Sequence, residues 1–185
     1  MAFFESLPYG ISDYTTDAIP EDERLWVPQA ENVWFRPLHL NRTAGQWVNL
    51  LKVRKSGVLS RHRHPAPVHG YVIKGSWRYL EHDWVANEGS YVYEPPGDVH
   101  TLVCDEGVEE MITLFHIRGA LIYLDEDLKL LATMTFTKKL KCVWNTLSVL
   151  VWEQTLSNDL FDREPHLESP LIFSFLHDAV AAIDR

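Results

Sequence analysis

The stretch Gly89–His100, GSYVYEPPGDVH, sets the reading of everything around it. A glycine opens a short run of β-branched and aromatic residues. Pro95-Pro96-Gly97 then forms a constrained turn, and His100 starts the next extended run, VHTLVC, with its side chain pointing inward. Working toward the N-terminus, Ser56–Trp77 places His62, His64 and His69 close together, separated by Pro65 and Pro67. On a strand, side chains at i and i+2 leave the same face, so His62 and His64 project together, about 6–7 Å apart. The two prolines end one strand and turn the chain, so His69 is expected to return to the same interior face. An isolated His-x-His is ordinarily a solvent-facing pair. His100, delivered from a neighbouring strand, turns the pair into three imidazoles able to share one metal.

The rest of the chain is consistent with a β-domain around these residues. From Trp26 to Tyr123, short apolar runs alternate with turn residues: VWFRPLHL, GQWVNLLKV, VLSRHRH, VHGYVIK, SWRYLEH, SYVYEP, VHTLVC, EEMITLFHI and ALIYL. No ten-residue helical pattern separates them, which excludes βαβ topology and predicts an antiparallel sandwich or barrel. LKLLATMTF reads as one further strand. The expected division is a lead over residues 1–25, a barrel over 26–134 and an extension over 135–185, partly helical, with the helix drawn at PLIFSFLHDAVAAIDR.

At 185 residues, 46% of them apolar, the chain can bury a core of its own. A net charge of −9 argues against nucleic acid as a partner. No apolar run approaches the ~20 residues that span a bilayer, and MAFFESLPYG has no secretion-signal pattern, so a soluble cytoplasmic protein is expected. Cys104 and Cys142 read as unpaired thiols rather than a disulfide framework.

The two histidine segments together resemble the paired motifs of the cupin superfamily, whose fold is the jelly-roll, or double-stranded β-helix. The second motif, a glycine, five residues, Pro-x-Gly, two residues and a histidine, matches at Gly89, Pro95, Gly97 and His100, with Cys104 at its final position. The first, glycine, His-x-His, glutamate, glycine, matches at Gly57, His62, His64 and Gly75. Its glycine-to-histidine spacing is one residue short, and His69 stands at the glutamate position. Within the superfamily the chain is similar to small single-domain cupins of the 2,4'-dihydroxyacetophenone dioxygenase type. The carrying stretches are WVPQAENVWFRPL, RHRHPAPVHGYVIKGSWRYLEHDW and GSYVYEPPGDVHTLV, and the similarity covers roughly Leu25–Leu124.

The resemblance implies an Fe(II) centre in an all-histidine shell of His62, His64 and His100, although three imidazoles also suit Zn, Ni or Cu. It implies O2-dependent carbon–carbon cleavage of an aromatic hydroxyketone or a diketone-like substrate, with His69 orienting or deprotonating it, or serving as a fourth ligand. It also implies a homodimer. Two alternatives stand beside this: a cupin isomerase or cyclase working without O2, and a non-catalytic metal-binding sensor or interaction domain. The expected pocket is aromatic, drawn from Tyr71, Trp77, Tyr79, Tyr93 and Phe115, with Cys104 on the parity of His100. Glu94 and Arg78 read as solvated strand charges, and His39, His82, His116, His166 and His177 as structural or exposed.

Overall fold

A computed structural model describes residues 14–15, 22–143, 145–146 and 148–149. The helix expected at PLIFSFLHDAVAAIDR lies outside them. The described strands form two antiparallel sheets facing each other across one core: the antiparallel sandwich that the breaker pattern predicts, and the jelly-roll that the resemblance implies.

One sheet contains β1 (Tyr14–Thr15), β2 (Val27–Ala30), β3 (Val33–Asn41), β4 (Gln46–Val53), β6 (Val68–Lys74), β9 (Tyr91–Glu94) and β11 (Met111–Arg118). Its order is β1-β3-β4-β11-β6-β9, with β2 beside β3. The other contains β5 (Gly57–Arg63), β7 (Ser76–Tyr79), β8 (Ala86–Asn87), β10 (Val99–Cys104), β12 (Ala120–Leu124) and β13 (Leu130–Thr135). Its order is β13-β12-β5-β10-β7-β8. A 3-10 turn over Glu23–Leu25, with Asp22 as its N-cap, precedes β2, and helix α1 occupies residues 136–143 after β13. No helix among the described residues is long and apolar enough to cross a membrane.

Alternation separates an inner and an outer face on each strand. Val33, Phe35, Trp47, Val53, Val68, Val72, Trp77, Met111, Phe115 and Ile117 fill the interior. A smaller cluster, Trp26, Leu38 and Leu50, lies on the outer face of the first sheet with Trp34, Val48, Ile112 and Leu114 packed against it. There the cations of Lys52 and Arg36 sit 4.0 and 4.5 Å from the Trp26 ring, with the exposed Glu23 carboxylate 3.0 Å from Lys52 Nζ. α1 buries Val143 and Lys139 against the barrel. Gly75, between β6 and β7, has φ +71°, and a Cβ there would run into the backbone carbonyl of Glu110, so the turn requires glycine.

Candidate metal centre and its cavity

The Pro95-Pro96-Gly97 turn holds the two histidine segments together. The Gly97 N–H, at φ +93°, donates to the His64 carbonyl at 2.8 Å. On β5 and β10, His62 and His100 are direct cross-strand partners, and Tyr123 of β12 faces His62 from the other side. One rung of this sheet therefore carries two imidazoles and a phenol. The ring centroids of His62 and His100 are 4.7 Å apart, and those of His64 and His100 are 5.0 Å apart.

The fourth member of the group is Glu94, at the end of β9. Its carboxylate is buried, with Oε2 at 3.0 Å from His64 Nε2 and 3.6 Å from His100 Nε2. The ligand atoms of His62, Glu94 and His100 all lie within 4.8 Å of one another. His64 extends this set through its contact with Glu94. The Glu94 position corrects the expectation of a solvated strand charge. The reason is parity: Val92 and Glu94 face inward, while Tyr91 and Tyr93 face out.

Several observations fit a cation here. His64 Nδ1–H donates to the Ala66 carbonyl at 2.8 Å, which leaves Nε2 as a lone-pair acceptor aimed at a second acceptor, Glu94 Oε2. Two acceptors that close need a proton or a metal between them. His100 Nε2 and Glu94 Oε1 are buried without a hydrogen-bond partner, an arrangement that costs roughly 1–3 kcal/mol per group unless something answers it. Burial, with the neighbouring imidazoles, lowers the pKa of both His62 and His100 to about 4, so both rings are neutral ligands at neutral pH. The buried His62–Glu94–His100 group can bind a metal.

The structure places His69 elsewhere. Val68, Gly70 and Val72 take the inner face of β6, so His69 and Tyr71 point outward. His69 Nδ1 lies 2.7 Å from the Tyr91 hydroxyl, and its ring stacks on His116 at 5.9 Å, outside the barrel. The carboxylate missing from position 69 is supplied across the ladder, where Glu94 pairs with Val68. Tyr71 and Tyr93, 49% and 54% exposed, are likewise outer-face residues rather than pocket residues. Trp77 and Cys104 are buried in the core but do not line the cavity at the metal group. A register shift between Leu102 and Val103 breaks the parity that linked Cys104 to His100. Burial raises the Cys104 thiol to about 11, leaving it an unreactive core group. Arg78 pairs with Asp105 at the surface.

Tyr79 and Phe115 do line the cavity, which has a volume of about 60 Å³. Tyr79 stacks on His100 at 4.0 Å between centroids and 11° between planes. Burial, and next the Glu94 charge, keep its phenol well above its ordinary pKa and therefore protonated. Tyr123, pushed up to about 12 by burial, is a second neutral phenol. Asn49, Gln29 and Lys139 complete the polar part of the wall, and Leu102, Ile117 and Leu121 the apolar part. A larger hollow of about 260 Å³ adjoins it, sharing Gln29, Leu51, Ser60, Leu102 and Tyr123. Sequence reasoning missed Lys139, Asn49 and Tyr123; Tyr123 and Asn49 had a readable signal, each lying on a strand, and Asn49 shares the parity of the inward-facing Trp47 and Val53.

Residues 15–122 match the family model of the ChrR cupin-like domain. An RmlC-like cupin protein from Ralstonia eutropha JMP134 is 31% identical, with 67% of this chain and 82% of that chain covered and a TM-score of 0.63. A cupin-fold protein of unknown function from the same organism is 24% identical, over 67% of this chain and 75% of that one, with a TM-score of 0.58. Acetylacetone dioxygenase from Acinetobacter johnsonii shares the fold at 17% identity, over 72% of this chain and 94% of that one, with a TM-score of 0.63. No curated protein sequence matches significantly.

Proposed function

Because this chain belongs to the ChrR cupin-like family of the cupin superfamily, we propose that it is a mononuclear non-haem Fe(II) dioxygenase cleaving a carbon–carbon bond in a small hydroxyketone or diketone. The observation that carries the reading is the pair of buried ligand atoms that make no hydrogen bond, His100 Nε2 and Glu94 Oε1, beside a cavity that adjoins a larger hollow. His62, His64, Glu94 and His100 would hold the ion. When bound, iron supplies a Lewis-acid site for a chelating oxygen pair and an electron source for O2. With one carboxylate among the ligands, a divalent ion keeps a single net positive charge rather than the two of an all-histidine shell, matching a singly ionised enolate.

The chain's own residues supply the remaining functions. Tyr123, protonated at neutral pH, can donate to a substrate oxygen. Phe115, Leu102, Ile117 and Leu121 exclude water and accommodate the apolar substituent. Tyr79 fixes the His100 ring by stacking. Two free thiols, Cys104 and Cys142, fit a reducing cytoplasmic setting. Pairing of two copies carries over from the resemblance, and the exposed Tyr71, Ile73, Tyr91 and Tyr93 on the outer sheet face support it.

Protein purified without chelators should contain about one metal per chain, and His62→Ala, His100→Ala or Glu94→Ala should each lower its occupancy at least tenfold. Iron-loaded protein should consume O2 with acetylacetone or an α-hydroxyketone. Absence of uptake with both classes and with their carboxylate-bearing analogues would sink the dioxygenase, and turnover under argon would replace it with the isomerase or cyclase. A second reading, a metal sensor without turnover, is favoured by the match to the ChrR cupin-like model. Structural zinc that resists chelators, with no turnover of any substrate, is its signature.

A further inference from the structure

The cavity holds polar groups that metal binding does not use. Lys139 of α1 and Asn49 of β4 line it beside His62 and Glu94, and both are buried, 3% and 2% exposed. Lys139 Nζ donates to Gln29 Oε1 at 2.8 Å and sits 3.4 Å from the Phe35 ring centroid. Among the described residues, no carboxylate lies within ion-pair distance of it. An ammonium removed from water costs several kcal/mol unless an anion answers it, and an amide oxygen and a ring face answer only part. Asn49 Oδ1 is buried with no donor, the place for a hydroxyl group. A buried amine with no carboxylate partner among the described residues, on the wall of a cavity that also holds the histidine–glutamate group, is placed to take up a proton together with an incoming anion.

We propose that Lys139 is the anion-binding residue of this cavity and that the ligand is a small carboxylic acid. Its carboxylate rests on the Lys139 ammonium, its carbonyl or hydroxyl oxygens point toward His62, Glu94 and His100, and the rest of the molecule extends into the adjoining hollow of about 260 Å³. Only the second half of that statement rests on the metal-centre reading. The substrate class narrows accordingly, from ketones at large to oxo- or hydroxy-acids.

The test titrates purified full-length protein, with and without chelator treatment, at pH 7 with benzoate and with acetophenone, a neutral molecule of nearly the same shape. Calorimetry should show benzoate bound at least tenfold more tightly than acetophenone. Lys139→Met should erase that preference while leaving metal content unchanged, and Lys139→Arg should retain it. Equal affinities in the wild type, or a preference that survives in Lys139→Met, would overturn the proposal. Should Lys139→Met not fold, the Lys139 side-chain NMR resonance decides: it must move on benzoate addition, and a stationary resonance overturns the proposal too. A benzoate preference in protein that takes up no metal would refute the metal centre and leave the anion site standing; metal uptake without the preference would do the reverse.

Discussion

Lys139 shows how strongly a position can alter a residue's ordinary chemistry. Burial pulls its pKa from 10.5 to about 7, against a smaller opposing pull from Cys142. Between those values the unfolded chain binds more protons than the folded one, so stability should rise with pH from about 7 to about 10. Thermal melts should therefore show wild type gaining on Lys139→Met by something on the order of 3 kcal/mol between pH 7 and 9.5. A constant gap across that range would mean the amine is solvated. None of this was legible in the sequence, because a lysine four residues into a helix is ordinarily at the surface and its neighbours Gln29 and Phe35 are distant in the chain. Glu94 was illegible for a related reason. A buried carboxylate is explained only by its partners, and His64 and His100 reach it from other segments. His69 was misplaced because alternation cannot be carried across Pro65 and Pro67, where one residue of offset reverses the face.

Elements were easier to read than contacts. VHGYVIK, VHTLVC and ALIYL coincide with β6, β10 and β12 residue for residue, since breakers stand directly against β-branched and aromatic runs. SWRYLEH ends early, at Tyr79, because the Leu80 N–H reaches the Thr101 carbonyl and Glu81 turns back to accept from Thr101. β2 and β8 escaped notice as short edge pieces, and Phe136, expected on a strand, begins α1. Among the turns, the one at Gly75 is least tolerant. Gly75→Ala combines a left-handed backbone with a steric conflict at the Glu110 carbonyl, and should cost roughly 2–4 kcal/mol in urea denaturation. A cost under about 1 kcal/mol would mean the β6–β7 turn can rearrange.

At the scale of the molecule, the resemblance to cupins anticipated the two-sheet barrel, and three of the four residues in the buried group came from motif spacing. The buried His62–Glu94–His100 group draws on three strands of two sheets, since His62 and His100 belong to one sheet and Glu94 to the other. A metal bound to the folded state alone adds stability as RT ln(1 + [M]/Kd), about 2.7 kcal/mol at one hundred times Kd. Chelator should therefore lower the melting temperature of wild type by several degrees and leave Glu94→Ala nearly unmoved; equal shifts in both would place the ion elsewhere. The order of these residues along the chain has a further consequence. A ribosome makes His62, His64, Glu94 and His100 well before it makes α1, so the ligands exist before the helix that brings Lys139 to the cavity wall. Synthesis thus leaves an interval in which an ion can enter an unfinished barrel, before α1 brings to the cavity wall the lysine proposed above to take the organic ligand.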